Sequence, residues 1–430
     1  MRDRLRKGER DEPVAQKTIF GWILSGKVSP STTKSVVVNH QCTVGEPLSQ
    51  VVRKFWEQEE IPPFPTPLTP LEQECEDHFL HNHSRTAEGR YVVRLPTSTQ
   101  LPDFSETRSA AARSLMQMEK KFLRNQEFSN QYKEFMRVYE ELGHMKRVKP
   151  EAQKQERVCY LPHHGVLRES STTTKLRVVF NGSWTPTSGS SLNQHLLVGQ
   201  NLLPALTDVL LRWRWHRFVM VTDIEKMFRQ IMVHPLDQDL QRILWNDSDK
   251  TETLQEYQLT TVTYGLACAL FLALRTLRQL ARDEGDKFPQ KAAVLHSDVY
   301  VDDILTGADT IDEALEIRQV TAICKAGGFP LKKWAANNDA ILANVPDADK
   351  SPQETKTWTD QKYSHSMLGL LWSPRQDAFG YSVKPPIGSS ITKRVLLSQT
   401  AQLYDPLGWL TPVIIRAKIA IQSTWLMGFD

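Results

Sequence analysis

At 430 residues the chain is long enough for two or three domains with their own cores, and a composition 40% hydrophobic and 24% charged excludes a disordered or fibrous protein. The net charge of +3 permits a nucleic-acid partner without demanding one, because what matters is the clustering of Lys and Arg on one surface. Cys42, Cys75, Cys159, Cys268 and Cys324 never form a C-x-x-C pair, which argues against a disulfide framework and for a reduced intracellular protein, and no apolar run approaches the roughly 20 residues of a membrane span.

Taken in chain order, residues 1–45 read as a fragment, with one short apolar strand-turn unit at 18–28 and too little around it for a core. Residues 46–154 read as a linker and a helical extension. They hold a proline-rich break at 61–70, a predicted strand at 89–95, and helical spacing in Leu115, Met118, Phe122 and in Met136, Tyr139, Leu142. From 155 to 345, β-branched runs at 177–180, 217–221, 242–245 and 294–301 alternate with helices predicted over 203–214, 224–233, 266–283 and 311–326. With a hairpin turn at 246–249, that alternation predicts an α+β domain around an antiparallel sheet. Residues 346–430 add a polar linker, strand-like pieces and an apolar helix near 411–427.

Two acidic motifs carry chemistry. Tyr300-Val301-Asp302-Asp303 follows an apolar stretch, Ala292 to Val299, and precedes Ile304-Leu305, which places it at a hairpin turn. Two adjacent carboxylates held at one point call for a cation, although an isolated pair equally fits a solvated turn. Asp223 ends the apolar run Phe218–Thr222, and Ile224, Met227, Phe228 and Ile231 follow at helical spacing. Alone, Asp223 fits a helix N-cap. Brought together in one sheet, the three carboxylates would bind two Mg²⁺ ions, because hard cations prefer oxygen ligands. Such a site activates a primer 3′-hydroxyl and steadies the leaving pyrophosphate.

Tyr300–Asp303 after Asp223-Ile-Glu-Lys-Met-Phe228 resembles motifs C and A of reverse transcriptases. The wider text resembles the BEL/Pao group of retrotransposon polyproteins. The matching blocks are Tyr160–Val166, Thr173–Phe180, Ser191–Asn193, Val262–Gly265, Gly328–Trp334 and Leu368–Trp372, in family order. The resemblance implies an RNA-directed DNA polymerase with a right-hand fold. Fingers and palm would occupy 155–345 and a truncated thumb- or connection-like Pao block 346–430, after a mainly helical extension. Asp223, Asp302 and Asp303 would be the catalytic metal ligands, with Mg²⁺ as cofactor and Mn²⁺ as a substitute. Tyr300 and Gly265 would border the nucleotide.

Phe228, five residues after Asp223, falls where the family places a ring against the sugar 2′ position, while its spacing also fits a core aromatic. Lys175 and Arg177 alternate with Leu176, Val178 and Phe180, so both cations share one strand face and would meet the triphosphate, or else form a solvated edge. Lys332 or Lys333 resembles the lysine that protonates pyrophosphate, and nothing in the sequence chooses between them. Leu368–Trp372 resembles the primer-grip strand, and a buried hairpin fits equally. The implied partners are a primed RNA or DNA template and dNTPs, in the cytoplasm within a retroelement particle and with access to the nucleus.

Departures are visible as well. Asn181 stands where the family more often has Asp, and Tyr264 where retroviral enzymes carry Gln. Thr18–Gly26 resembles the tail of a retropepsin-like protease, but no Asp-Ser/Thr-Gly tripeptide accompanies it, so protease activity is not expected. Lys393-Arg394 and Asp405–Gly408 resemble a Pao block sometimes labelled a peptidase, without a nucleophile or acid pair. No ribonuclease H or integrase constellation can be placed. Cys75, His78, His81 and His83 match no zinc spacing. Leu211–Arg217 interleaves basic and aromatic residues, as nucleic-acid binders do, and equally fits core Trp with solvated Arg. The competing expectation is a truncated or domesticated remnant that at most binds nucleic acid.

Overall fold

The computed structural model describes residues 67–148, 157–167, 176–186, 189–246, 254–351, 370–381 and 392–427 with their side chains, and 5–7, 14–18, 21–25 and 365–367 as backbone. The chain divides into two compact units, Met1–Pro67 and Leu68–Asp430. In the first, β1 (Leu5–Lys7), β2 (Val14–Thr18) and β3 (Gly21–Ser25) form an antiparallel meander.

The second unit mixes helices and mainly antiparallel sheets. It begins with α1 (Pro70–Asn82), β4 (Ser84–Arg85), β5 (Tyr91–Val93), α2 (Glu106–Arg124) and α3 (Gln126–Glu141). Next come β6 (Met145–Arg147), β7 (His163–Leu167), β8 (Leu176–Phe180), α4 (Leu206–Trp215), β9 (Phe218–Ile224), α5 (Met227–Gln230) and β10 (Met232–Val233). They are followed by β11 (Arg242–Trp245), β12 (Gln255–Leu259), α6 (Ala269–Asp283), α7 (Pro289–Ser297), β13 (Val299–Tyr300) and β14 (Asp303–Ala308). The remainder is α8 (Ile311–Ile317), α9 (Val320–Ala326), β15 (Leu331–Ala336), α10 (Asp339–Leu342), β16 (His365–Met367), β17 (Leu370–Ser373), β18 (Ala378–Gly380), α11 (Lys393–Gln402) and α12 (Thr411–Leu426).

The central sheet runs β13-β14-β9-β15, antiparallel throughout. Alternation along β9 sends Val219 and Val221 to one face, where they meet Val209, Leu210 and Trp213 of α4 together with Leu305, Leu370 and Trp372. Met220 and Ile224 point the other way, into the larger core. Asp223 therefore shares the parity of Val219 and Val221, on the face that the β16-β17-β18 hairpins cover. Trp372 of β17 is buried there against Trp213, ring centroids 4.8 Å apart.

The α2 and α3 helices follow the predicted spacing at Leu115, Met118, Phe122, Met136 and Tyr139, all buried, but Leu142 caps the end of α3 and is exposed. They pack on β7, β8 and β11 through an aromatic cluster of Phe122, Phe128, Tyr132, Trp245 and Phe180 around His163. The His163 Nε2–H donates to the Leu244 carbonyl at 2.9 Å, and the Tyr132 hydroxyl donates to Nδ1. Burial pushes the His163 imidazole down to about 4, and burial with nearby Arg229 and Arg90 does the same to His144. Between their ordinary value of 6.5 and about 4, the unfolded chain thus binds more protons than the fold. The stability these rings contribute is complete above pH 6.5 and is lost as pH falls toward 4. Urea midpoints measured from pH 7.5 to 4.5 should decline over that window; a flat series would mean that the rings are solvated.

Three predicted elements differ. Residues 292–297 are helical, not a strand: Pro289 occupies the first turn of α7, and Ala292, Val294 and Leu295 are buried, leaving only Val299 and Tyr300 extended. The helix predicted over 224–233 shrinks to α5, because Ile224 finishes β9, Lys226 turns left-handed at φ 51° and β10 begins at Met232. The helix predicted over 311–326 breaks into α8 and α9 at Arg318-Gln319. Most of the predicted turn at 246–249 lies outside the described residues.

Candidate active site

The β9-β14 register sets Asp303 directly opposite Asp223. Tyr300 pairs with Asp303 across the β13-β14 hairpin, so Val301 and Asp302 form its tip. Val301 there has φ 58°, a region that β-branched residues strongly disfavour and that a tight two-residue turn demands. The Ile224 amide donates to the Asp302 carbonyl at 2.7 Å and so ties the hairpin tip to the end of β9. The two acidic motifs, distant in sequence, thereby meet at one end of one sheet, and Asp223 is a strand residue rather than a helix cap.

Electrostatics at this end favour positive charge. Burial, then the Asp223 charge, raises the Asp302 carboxyl. Burial followed by Asp302 and Asp223 pushes Asp303 up to about 7. A β-bulge interrupts the β15-β9 pairing between Lys332 and Ala335, and Lys333 adopts φ 55°. The bulge sends adjacent lysines to different partners. Lys333 Nζ lies 3.0 Å from the Asp223 carboxylate, whereas Lys332 pairs with Asp349. Among the described residues no three His, Cys, Asp or Glu side chains are grouped closely enough to hold a metal ion. The three carboxylates are therefore neighbours, with the Lys333 ammonium on one of them, rather than a ready-made chelate. The donor set suits a hard cation, because it is all carboxylate and two members resist ionising without one.

Phe228 lies on α5 and is half-buried against the main core, so both readings of it keep a foothold. Arg177 is exposed on β8, and Lys175 falls outside the described residues. The Tyr264 hydroxyl donates to the Val178 carbonyl, and its ring lies 5.2 Å below the Arg177 guanidinium. Gly265 has φ 115°, and a Cβ there would stand 2.6 Å from the Phe180 carbonyl, so only glycine fits. Asn193 pins this loop: its Nδ2 donates to the Gly265 carbonyl, and its Oδ1 accepts from the Ala267 amide, both at 2.9 Å. Asn193 of the Ser191-Leu-Asn193 block thus holds the Gly265 loop in place.

Other candidates resolve into structure. Cys75 is buried, and the Nδ1 atoms of His81 and His83 face the Asp77 and Phe79 carbonyls of their own helix. In 211–217, Trp213 is core, Arg214 pairs with Asp377, and Trp215 is 84% exposed. Asp405 accepts from the Trp409 and Leu410 amides and the Tyr381 hydroxyl, a capping task rather than a hydrolytic one. No described helix is long and apolar enough to cross a membrane.

Comparison with known proteins links the C-terminal end to retroelements. Residues 392–430 match the family described as Pao retrotransposon-like RNaseH-like domain, which supports a retroelement polyprotein. The expectation that no ribonuclease H element is present is accordingly not supported, since these residues resemble part of such a domain and not a polymerase. In this chain they form α11, the Asp405 turn and α12. The crystal structure of a prototype foamy virus protease–reverse transcriptase mutant is similar at 13% identity and a TM-score of 0.35, over 62% of this chain. That alignment spans 33% of the viral chain. No curated protein matches.

Proposed function

We propose that the chain is the polymerase part of a retroelement polyprotein, an RNA-directed DNA polymerase that extends a primer 3′-hydroxyl with dNTPs on an RNA or DNA template. The observation that carries this reading is the pairing of Asp223 with Asp303, beside Asp302, at one end of an antiparallel sheet. Asp223, Asp302 and Asp303 would hold two Mg²⁺ ions, which supply Lewis-acid activation of the hydroxyl and charge neutralisation at the leaving pyrophosphate. Lys333, whose ammonium lies 3.0 Å from the Asp223 carboxylate, would be the residue placed to give a proton to the leaving pyrophosphate. Arg177 on β8 faces the triphosphate, and the Phe228 ring closes the space beside the sugar 2′ carbon. Within this reading, residues 155–345 are fingers and palm, 46–154 an extension, 346–430 a thumb- or connection-like block, and 1–45 the end of a retropepsin-like protease.

The gate gives a test that needs no knowledge of the native template. Phe228→Ala should raise ribonucleotide relative to deoxynucleotide incorporation by roughly 10- to 100-fold, the range set by one missing steric contact. An unchanged ratio in an active variant would return Phe228 to the core. A second reading is favoured by the Lys333–Asp223 pair, in which a protein ammonium already neutralises one carboxylate: a folded remnant that binds nucleic acid and adds no nucleotide. Filter binding of a primer–template from 50 to 300 mM salt, with and without dNTP and Mg²⁺, separates the two. Binding that tightens with the next correct dNTP belongs to a polymerase, and binding indifferent to it belongs to the remnant.

A further inference from the structure

Two guanidinium groups lie near the Tyr264 ring. Arg177 sits 5.2 Å and Arg229 5.5 Å from its ring centroid. Arg229 also lies over Tyr139 at 4.8 Å and near Phe135 at 5.4 Å, inside a three-ring cage. Among the described residues neither the exposed Arg177 nor the half-buried Arg229 has a carboxylate within ion-pairing distance, whereas Arg85, Arg94 and Arg214 do. Ring faces replace the missing counter-charges only in part, since a cation–π contact offsets a fraction of a desolvated charge. Two unpaired guanidiniums on one ring, next to the carboxylate end of the sheet, are suited to an anion.

The ring is held rigidly. The Tyr264 hydroxyl anchors on the Val178 carbonyl, one residue beyond Arg177, and Asn193 fixes the backbone on either side of Leu266. A long arginine side chain gives up roughly 1.5–2 kcal/mol of rotamer freedom when ordered. A platform that orders Arg177 beforehand removes that loss from the binding of its ligand.

We propose that Tyr264 is the positioning residue of the nucleotide subsite: its ring, which Arg229 also contacts, stacks Arg177 in place to receive the triphosphate of an incoming dNTP. This rests on the polymerase reading for the identity of the nucleotide, while the arginine ladder itself does not.

Two measurements on the full chain test it. In steady-state primer extension, Tyr264→Leu should raise the dNTP KM about 10-fold with kcat within about threefold. Tyr264→Phe, which keeps the ring and loses its anchor on Val178, should raise KM about threefold, as should Arg229→Met. A merely structural loss would lower kcat and primer–template affinity together. The second measurement needs no activity: phenylglyoxal modification of Arg177, read by peptide mass spectrometry with and without dTTP or inorganic tripolyphosphate. Protection of Arg177 by either anion in wild type, weaker protection in Tyr264→Phe and none in Tyr264→Leu support the ladder even if no primer is extended, in which case the polymerase reading alone falls. Equal protection in all three proteins, or an unchanged KM in Tyr264→Leu, overturns the proposal.

Discussion

Replacing Asp303 by Asn is expected to reduce primer extension by on the order of 10³-fold or more while making the metal-free protein more stable at pH 8. Both effects have one cause. Asp303 is half-buried opposite Asp223 and beside Asp302, and its carboxyl is pushed up to about 7. In the unfolded chain it titrates near 3.8. A folded value above the unfolded one means stability that is complete below pH 3.8 and is lost as pH rises through about 7. At pH 8 the metal-free site therefore holds a charge that it disfavours, and Asn relieves this by on the order of 1–2 kcal/mol after allowance for solvent screening. Thermal midpoints in EDTA should favour Asp303→Asn at pH 8 and converge with wild type near pH 4. Saturating Mg²⁺ should raise the wild-type midpoint more than that of the variant. A variant less stable than wild type at both pH values would mean that Asp303 serves the fold and not a metal.

Lys333→Ala should lower the rate at saturating dNTP by roughly 100-fold, as removal of a general acid does, whereas Lys332→Ala should stay within about threefold. The bulge in β15 decides between them. It turns the Lys333 ammonium to Asp223, 3.0 Å away, while Lys332, the strand partner of Asp223, has its ammonium held by Asp349. Single-turnover extension isolates the chemical step from primer release. Equal losses in the two variants would make the lysines interchangeable phosphate anchors, and a larger loss in Lys332→Ala would reverse the assignment.

The carboxylates were legible in the sequence because an apolar strand ending in Asp and an Asp-Asp hairpin tip are local features, and antiparallel pairing brings such ends together. Lysine choice was not legible: it hangs on the positive φ of Lys333, which lysine side chains give no sign of. The helix over 224–233 failed for a related reason. Ile224, Met227 and Ile231 keep helical spacing, but a left-handed Lys226 distributes them among β9, α5 and the approach to β10. In 292–299, His296 and Asp298 looked like breaks in a strand, while Pro289 was the signal for a helix start. The roles of Tyr264, Arg229 and Asn193 were not legible because they exist only once β8, α5 and the Gly265 loop are side by side. The RNaseH-like character of 392–430 escaped because its two described helices carry no pair of catalytic side chains to recognise.

The most direct test of a polymerase is primer extension by the purified full chain on oligo(dT)-primed poly(rA), with Mg²⁺ and separately Mn²⁺, beside an Asp302→Asn, Asp303→Asn double variant. Extension by the wild type and none by the equally folded double variant is the expected result. A folded wild type that binds the primer–template and adds no nucleotide with either metal would contradict it, and would leave a retroelement remnant that holds nucleic acid without copying it.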